Sequence, residues 1–546
     1  NARQLKLSMV VVDEAHCIST WGHDFRPSYK RIINLVNLLP INFPVLATTA
    51  TATKEVEKDI VTQIGKNISS YRGSLLRDNL RLFVIKVEKE EEKMIWLGQN
   101  LNKIKGSGII YTGTKANTEI YAHWLNSLDI SATFYNSDVQ AEERMEIEKG
   151  LIENRWKCVV STNALGMGID KPDIRFIIHT QITESPIHYY QEIGRAGRDG
   201  KNTFIILFYN PNADNELPMS FIDSSKPPIT KYKSVIEILS KASYTETELL
   251  KETNLKRTEL SVIRADLAEQ GIINEINVNR SKKFEYKFNA PKFDYRKFSE
   301  LREKKLSNFY KMIEYVYTTE CRMRFLTEFL GDPSKEKCNK CDNDTNNIKS
   351  VPDDFEWLKR VENFSLSDFP ILDVVTKTSR LINGVAASFY GSSKAGSLIH
   401  KCKYEKGGDF PDILLNLTVN AVRKHFKDMK FDYLIYVPPT ESGDLVKNFA
   451  IKMGKALNIS VSHNLMKKKK NQPQKIFQNS ALKNENIKGI FQYVNESEIN
   501  GKYILLFDDI YDSGVTIREL GKYFTQLGAA LIAPVVIAKT VGGLKL

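Results

Sequence analysis

The chain has 546 residues, of which 42% are hydrophobic and 26% charged, a composition that predicts a folded protein of roughly three to five domains and excludes a disordered or fibrous chain. It has no apolar run long enough to span a bilayer, no recognisable signal peptide and only six irregularly spaced cysteines, so we expect a cytoplasmic protein without a membrane partner. The formal net charge of +12 favours a polyanionic partner.

A short apolar run near the amino terminus ends in two acids. Met9–Val12 predicts a buried parallel strand, and Asp13, Glu14 and then His16 follow it. Ligands of α/β sheets bind at the carboxyl ends of such strands. Asp13 could therefore hold the magnesium ion of a nucleoside triphosphate, and Glu14 could polarise the attacking water. The alternative is a strand that simply ends at a helix start.

Two later segments repeat this pattern of an apolar strand that breaks into small polar residues. Leu46–Thr53 contains Thr51, and Cys158–Thr162 leads into a glycine-containing turn. Within that turn, Gly168 allows the backbone to approach a ligand closely, and Asp170 could bind a ribose hydroxyl.

A basic segment, Gln191–Gly200, follows these strands. Arg195 and Arg198 are three residues apart, so on a helical turn they share one face. Such a pair can stabilise the charge that builds on a transferring γ-phosphoryl group. The alternative is a pair of surface arginines on a helix broken by glycine.

Together these segments resemble a RecQ-type DNA helicase of superfamily 2 over residues 9–210, with an Asp-Glu-Ala-His box. The resemblance implies an α/β multidomain protein with tandem RecA-like parallel-sheet lobes, the first one truncated (1–78) and the second at 79–210. It implies an enzyme that hydrolyses ATP with magnesium and moves along DNA in the 3′–5′ direction. The implied catalytic residues are Asp13, Glu14, His16, Gln191, Arg195 and Arg198. The implied ATP-side residues are Thr51, Gly168 and Asp170, with magnesium on Asp13.

The stretch after the box, Cys17–Pro27, resembles the aromatic-rich loop that couples DNA occupancy to ATP hydrolysis in this family. Its aromatic rings offer faces for base stacking, worth ~1–3 kcal/mol per base. Phosphate contacts in the second lobe would grip the strand without reading its sequence. The DNA-binding residues implied in the two lobes are Trp21, His23, Phe25, Arg26, Thr112, Lys115 and Thr162.

The sequence contains no Gly-x-x-x-x-Gly-Lys-Ser/Thr loop, which should precede the acidic strand and cradle the phosphates. We therefore expect these 546 residues to be the carboxyl-terminal portion of a longer helicase. As written, the chain is expected to bind ATP weakly and not to unwind DNA by itself.

Residues 226–290 predict three helices followed by two strands, the pattern of a winged-helix-like module. Thr245 and Glu248 have the spacing of a capping box at the second helix. Arg257 and Lys282 are candidate contacts to duplex DNA. A small helical packing module is the alternative.

Three cysteines in the next segment, 293–345, indicate a metal site. Cys338 and Cys341 have zinc-knuckle spacing, and Cys321 matches the first ligand of the RecQ zinc-binding module. The family's fourth cysteine falls at Asp344, so a zinc ion held by three cysteines and one aspartate is predicted. A weakly held or lost metal is the alternative.

Residues 346–392 are expected to form a linker and 393–546 a second nucleotide-type domain. The strand Lys502–Phe507 runs into two acids and a Ser-Gly-x-Thr turn, which could bind ribose hydroxyls and a 5′-phosphate. This domain resembles type I phosphoribosyltransferases of the ComF-like branch, which implies phosphoribosyl pyrophosphate as ligand. The alternative is a strand–helix turn capped by acids. The implied ligand-binding residues are Asp508, Asp509, Asp512, Ser513, Gly514 and Thr516.

Lysines concentrate in residues 447–475, which hold eight of them and no acid. They could face pyrophosphate, hold DNA or form a solvated loop. The leading interpretation of the whole chain is a monomeric helicase acting in DNA repair or recombination on single-stranded, duplex or junction DNA, alone or with a single-strand DNA-binding protein. The alternatives are a phosphoribosyltransferase-like protein targeted to DNA and a DNA-binding adaptor that is not an enzyme.

Overall fold

The computed structural model of the protein forms two compact units. It describes residues 8–19, 27–40, 43–65, 68–165, 169–278, 281–332, 336–390, 394–405, 408–439, 444–468, 472 and 476–540. The first unit comprises Asn1–Lys226, Ala265–Gln270 and Pro291–Val361, and the second comprises Pro227–Arg264, Gly271–Ala290 and Glu362–Leu546. Within the described part of the chain, no helix is both long and apolar enough to cross a membrane.

The first unit begins with two short strands that pair in parallel. The prediction that Met9–Val12 is buried is wrong for Met9 and Val11, which are exposed, and holds for Val12. Thr53 starts the helix that follows, because its side chain accepts a hydrogen bond from Val56 N and two acids occupy the first turn. The elements are β1 (Val10–Val12), α1 (Pro27–Asn37), β2 (Val45–Ala47) and α2 (Lys54–Ile64).

A second lobe with a six-stranded parallel sheet follows, in the order β3-β8-β7-β4-β6-β5. Its central strands read as continuous apolar runs because helices cover both faces, and Ile109, Val159 and Ile177 are fully buried. The strands are β3 (Leu80–Lys86), β4 (Gly108–Tyr111), β5 (Ala132–Tyr135), β6 (Cys158–Ser161), β7 (Phe176–His179) and β8 (Thr203–Tyr209). The helices are α3 (Glu90–Asn100), α4 (Lys115–Asn126), α5 (Ala141–Ile152), α6 (Pro186–Ile193) and α7 (Glu216–Ser224).

The three helices and the hairpin predicted for residues 226–290 are present. They are α8 (Ile229–Leu239), α9 (Glu246–Thr253), α10 (Arg257–Glu269), β9 (Ile273–Val278) and β10 (Ser281–Tyr286). The capping box of α9 is formed in both directions between Thr245 and Glu248. β9 and β10 pair antiparallel.

The cysteine-containing segment folds as helices that pack into the core of the second lobe. Phe309, Met312 and Tyr315 of the long first helix are fully buried and share one core with the lobe's strands. The helices are α11 (Arg296–Tyr317), α12 (Arg322–Phe329), α13 (Asp342–Thr345) and α14 (Phe355–Ser365).

Residues 346–392, expected to be a linker, instead contain regular structure. Trp357 of α14 packs edge to face on Trp124 of α4, with ring centroids 6.2 Å apart. Two further strands, β11 (Ile371–Leu372) and β12 (Gly384–Tyr390), belong to the carboxyl-terminal sheet, so that domain begins before residue 393. The segment therefore contributes to two cores: α14 packs on α4 of the second lobe, and β12 pairs with β18 of the carboxyl-terminal sheet.

The carboxyl-terminal domain is built on a six-stranded sheet in the order β11-β12-β18-β17-β13-β14. All neighbours pair in parallel except β11, which is antiparallel to β12. The other strands of this sheet are β13 (Tyr433–Tyr436), β14 (Ser460–Ser462), β17 (Tyr503–Tyr511) and β18 (Leu531–Thr540). A separate antiparallel pair is formed by β15 (Leu465–Lys467) and β16 (Phe491–Tyr493). The helices are α15 (Lys394–His400), α16 (Asp412–His425), α17 (Leu445–Leu457), α18 (Ser480–Ile487) and α19 (Val515–Gln526).

Candidate active site and metal centre

Asp13 lies at the carboxyl end of β1, beside the residue that follows β2. Because β1 and β2 pair in parallel, Asp13 and Thr48 leave the sheet side by side, and Thr48 Oγ1 donates to Asp13 Oδ1 at 2.8 Å. This hydrogen bond, together with one from Glu14 N, lowers the pKa of Asp13. An ionised, exposed carboxylate is the group that a magnesium–nucleotide complex requires.

Glu14 and His16 form a second polar pair at the same strand end. Glu14 adopts the left-handed backbone conformation at φ 49°, which turns the chain sharply into the short helix that holds His16. His16 is buried, and its Nδ1 lies 3.1 Å from Glu14 Oε2 and 3.0 Å from Thr49 Oγ1. The box residues are therefore held by the threonine-rich strand end.

A hydrogen-bond chain joins this site to the second lobe. Gln191 Nε2 of α6 donates to Thr51 Oγ1 at 2.9 Å, and Thr51 N donates to Thr49 Oγ1 at 3.3 Å. Thr49 in turn contacts His16. The structure thus brings together four residues that the sequence places up to 175 positions apart, since Gln191 minus His16 gives that separation.

The two arginines of the basic segment occupy different surroundings. Arg198 pairs with Asp170 at 2.6 Å, and both side chains are largely exposed. Asp170, the expected ribose-binding residue, and Arg198, an expected catalytic residue, therefore form an ion pair with each other. Arg195 instead lies near the hydroxyl of Tyr111, whose pKa rises because of burial and the Glu192 carboxylate, an effect that Arg195 opposes.

The expected DNA grips of the second lobe lie at one edge of its sheet. β4 and β6 are neighbours, so Thr112 and Thr162 follow adjacent strand ends, and Thr112 N donates to Ser161 O at 2.8 Å. Lys115 begins α4 and pairs with exposed Asp138 at 2.5 Å. The other expected DNA contacts of the two lobes, Trp21, His23, Phe25 and Arg26, lie outside the described residues, as does Gly168, which was expected on the ATP side.

The two expected duplex contacts of the winged-helix-like module are exposed and paired with acids. Arg257 Nε lies 2.5 Å from Glu246 Oε1, and Lys282 Nζ lies 2.6 Å from Glu275 Oε1. Ion pairs at such a surface contribute little to stability.

The candidate metal centre comprises Cys321, Cys338, Cys341 and Asp344, whose ligand atoms all lie within 4.8 Å of one another. A tetrahedral zinc ion with Zn–S bonds of about 2.3 Å needs sulfur atoms roughly 3.8 Å apart. Cys321 Sγ and Cys338 Sγ are 3.5 Å apart, and Cys338 Sγ lies 3.4 Å from Asp344 Oδ2. Hydrogen bonds shared among the three thiols lower the pKa of Cys321 and raise the pKa values of Cys338 and Cys341.

The acids at the end of β17 form a compact cluster in the carboxyl-terminal domain. Lys403 Nζ lies 2.5 Å from Asp509 Oδ2, and both side chains are mostly buried. Burial and the adjacent Asp509 raise the pKa of Asp508 to about 7, although Lys403 and Lys467 oppose this shift. Asp508 can therefore be either neutral or ionised near neutral pH.

The loop after β17 has the backbone that a phosphate cradle needs. Gly514 has φ 68°, and a Cβ there would lie 2.4 Å from the Tyr511 hydroxyl, so only glycine fits. Val515 begins α19, with Thr516 in its first turn. Arg518 donates to Ser513 O, and Lys483 of α18 pairs with Asp512 at 2.5 Å. Both loop ends are thus fixed.

Sequence reasoning missed several residues that shape these sites. Thr48 and Thr49 lie in the same run as Thr51, so strand pairing was the signal that could have identified them. Lys483 left no signal, because it reaches Asp512 from another helix.

Comparison with known proteins gives three family matches within the first part of the chain. The DEAD/DEAH box helicase family matches residues 2–59, the helicase conserved C-terminal domain matches 92–200, and the RecQ zinc-binding family matches 286–345. The zinc-binding match includes all four residues of the candidate metal centre.

Curated relatives include two bacterial proteins. The Bacillus subtilis (strain 168) protein named Probable ATP-dependent DNA helicase RecS is 36% identical over 256 residues, 46% of this chain and 51% of that protein. ATP-dependent DNA helicase RecQ of Pasteurella multocida (strain Pm70) is 39% identical over 212 residues, 38% of this chain and 32% of that protein. The chain therefore spans about half or less of the length of these relatives. Its first unit carries RecQ-type helicase domains, with the acidic box in the first and the cysteine cluster in the last.

Proposed function

We propose that this chain is the motor part of a RecQ-type, ATP-dependent 3′–5′ DNA helicase that acts in DNA repair or recombination. The observation that carries the proposal is the hydrogen-bond chain from Gln191 through Thr51 and Thr49 to His16. It gives the two lobes a shared polar contact that opening and closing would break and remake. A binding adaptor has no need for such a contact beside an acidic box.

In this proposal the acids of the first lobe serve ATP hydrolysis. Asp13 holds the magnesium ion of ATP, and the Thr48 hydrogen bond keeps it ionised. Glu14 orients the attacking water, while His16 restrains the Glu14 side chain. Arg195 and Arg198 neutralise charge on the phosphates, and Arg198 must exchange its Asp170 partner for phosphate.

The DNA strand would follow the edge formed by Thr112, Lys115 and Thr162. Hydroxyl, backbone and lysine groups there can bind phosphates and leave the bases unread. Contacts by the aromatic loop, a single-strand DNA-binding partner, a monomeric state and a cytoplasmic location stay predictions.

The catalytic assignments can be tested in the protein expressed from its complete reading frame. Glu14→Gln should abolish DNA-stimulated ATP hydrolysis while nucleotide binding persists, because only the water-orienting carboxylate is lost. Arg198→Ala should also lower the hydrolysis rate. Glu237→Gln, which removes the exposed partner of Lys241 in α8, serves as the matched removal of an exposed, paired charge. Normal turnover by Glu14→Gln would refute the role of Glu14, and an unchanged rate would remove Arg198 from the site.

We further propose that the carboxyl-terminal domain binds phosphoribosyl pyrophosphate, as its resemblance to ComF-like phosphoribosyltransferases implies. The support is the sequence of features at the end of β17: paired acids, a glycine that admits no side chain, and the first turn of α19. The double variant Asp508→Asn/Asp509→Asn should weaken binding measured by calorimetry. If the unsubstituted protein fails to bind this ligand, the domain is a scaffold.

A further inference from the structure

A buried histidine, His179 at the end of β7, holds a carboxylate of the segment that carries the proposed catalytic residues. His179 Nε2 lies 2.7 Å from Glu192 Oε2, and the two side chains are 2% and 17% exposed. Hydrogen bonds that involve an ionised partner in such surroundings are strong, because water competes little for either group. Neither residue belongs to the ATP or DNA contacts described above.

Two tyrosine rings fix the plane of the His179 imidazole. The Tyr111 ring stacks on it at a centroid distance of 5.2 Å, and the Tyr189 ring lies at 4.9 Å. Tyr111 is itself anchored, since its hydroxyl donates to Leu165 O at 3.0 Å. The imidazole therefore cannot rotate away from Glu192 without displacing β4 or α6.

Glu192 lies on α6 between residues that point elsewhere. Successive helical residues are rotated by about 100°, so fixing Glu192 toward the sheet sends Gln191 toward the first lobe. Gln191 does reach Thr51 there. Arg195 N donates to Glu192 O at 3.3 Å, so the position of Glu192 also sets where the arginine leaves the helix.

The electrostatics of Tyr111 link the same groups. Glu192 and Arg195 both act on the Tyr111 hydroxyl, and with opposite sign. Arg195 Nε is buried and has no hydrogen-bond partner among the residues that the structure describes. The position of the Arg195 guanidinium is therefore set by packing and not by a hydrogen bond on Nε.

We propose that His179 is a positioning residue for ATP hydrolysis: through Glu192 it sets the orientation of Gln191 and Arg195. The inference rests on the proposed helicase function. It predicts an effect on turnover without an effect on binding of the nucleoside diphosphate, because Arg195 is assigned to the transferring phosphoryl group.

The test compares His179→Phe with His179→Gln in the protein expressed from its complete reading frame. Phenylalanine keeps a ring between the tyrosines but cannot donate to Glu192, whereas a glutamine amide can donate. Tyr135→Phe is the matched control, because it removes another part-buried hydrogen bond to a carboxylate, 2.6 Å to Glu148, on the edge strand β5 of the same sheet.

We expect His179→Phe to lower kcat of DNA-stimulated ATP hydrolysis by about 10- to 100-fold, the scale of a 1 Å misplacement of a catalytic group. ADP affinity should stay within about twofold, and His179→Gln should recover most of the rate. Tyr135→Phe should lower Tm as His179→Phe does and leave kcat unchanged.

Three results would overturn the proposal: an unchanged kcat in His179→Phe, equal losses in both His179 variants, or a parallel loss of ADP affinity. The first two would leave the helicase function standing, because the unsubstituted protein would still hydrolyse ATP. If the unsubstituted protein does not hydrolyse ATP with DNA present, the helicase proposal fails, and this inference fails with it.

Discussion

Replacing Arg322 by methionine would leave Asp342 as an unpaired carboxylate inside the first unit. The side chains of Arg322 and Asp342 are only 6% and 2% exposed, and Arg322 Nε lies 2.5 Å from Asp342 Oδ1. The other carboxylate oxygen accepts from Val84 N of β3 at 2.9 Å. Removing one partner of a buried ion pair costs about 3–5 kcal/mol, so we expect the free energy of unfolding of this unit to fall by that amount.

Urea unfolding of the zinc-loaded protein at pH 7, followed by tryptophan fluorescence, measures this loss. Arg324→Met is the matched control on the same helix, because Arg324 pairs with Glu320 at 2.6 Å with exposures of 24% and 57%. An exposed pair contributes about 0.2–1 kcal/mol. If Arg322→Met costs no more than this control, the argument from burial is wrong.

A double variant separates the charge from the packing. Arg322→Met/Asp342→Leu removes both charges, and should recover the stability except for about 1 kcal/mol for each of two backbone groups that lose their partner, Val84 N–H and Tyr315 C=O. If the double variant is less stable than Arg322→Met, the loss comes from packing and not from an isolated buried charge.

Three further predictions concern the other sites. The folded-state pKa of Asp508, about 7, lies above the usual value of 3.8, so the native state binds this proton more tightly and the free energy of unfolding should fall as pH rises from 4 to 7. The urea midpoint should fall less across this range in Asp508→Asn than in the unsubstituted protein. Equal slopes in the two proteins would contradict the assignment. Asn479 caps α18 and donates to Leu250 O and Leu255 O, so Asn479→Ala should cost about 3 kcal/mol in thermal unfolding, whereas Asn479→Ser keeps an oxygen that can accept from Leu482 N, adds no charge and should cost less; equal losses would exclude the cap as a contributor. Purified, unchelated protein should contain about one zinc ion per chain by elemental analysis, and Asp344→Ala should lower this content; a content near zero in the unsubstituted protein would end the proposal of three cysteines and one aspartate.

Local sequence patterns predicted those parts of the fold that depend on local interactions. The helices and hairpin of residues 226–290 follow from apolar periodicity and from the Thr245–Glu248 capping box, which acts within one turn. In the second lobe, the apolar run Cys158–Thr162 predicted β6, whereas the parallel sheet as a whole was implied by the family resemblance.

The error at residues 346–392 has a non-local cause. β12 is one short apolar run, and its partner β18 lies about 150 residues later, at Leu531–Thr540. Gly384 allows this approach, because a Cβ there would lie 2.3 Å from Pro534 O. No local pattern within residues 346–392 indicates pairing with β18, so composition alone predicted a linker.

The candidate sites divide in the same way. Cys338 and Cys341 follow from spacing in a short segment, Cys321 and Asp344 follow from the family resemblance, and the four ligand atoms converge in the structure. The pairing of Arg198 with Asp170 and the contact of Gln191 with Thr51 depend on how distant elements approach each other. Residue identity could nominate these side chains, but only the fold could decide which of them meet.

The candidate metal module contributes no residue to the proposed ATP site, but its helix α11 packs against α6, the helix that carries Gln191. Tyr315 of α11 has its ring centroid 5.3 Å from that of Tyr189 on α6, and the Arg322 guanidinium lies 5.5 Å from the Tyr315 ring. The cysteine cluster fixes the start of α12 beside Cys321. Because close-packed interiors transmit displacement rather than absorb it, this fixed position limits how far Tyr189 can move. Tyr189 in turn borders His179, which holds Glu192. The zinc module therefore supports α6 on the side of Tyr189, through aromatic contacts and one buried ion pair.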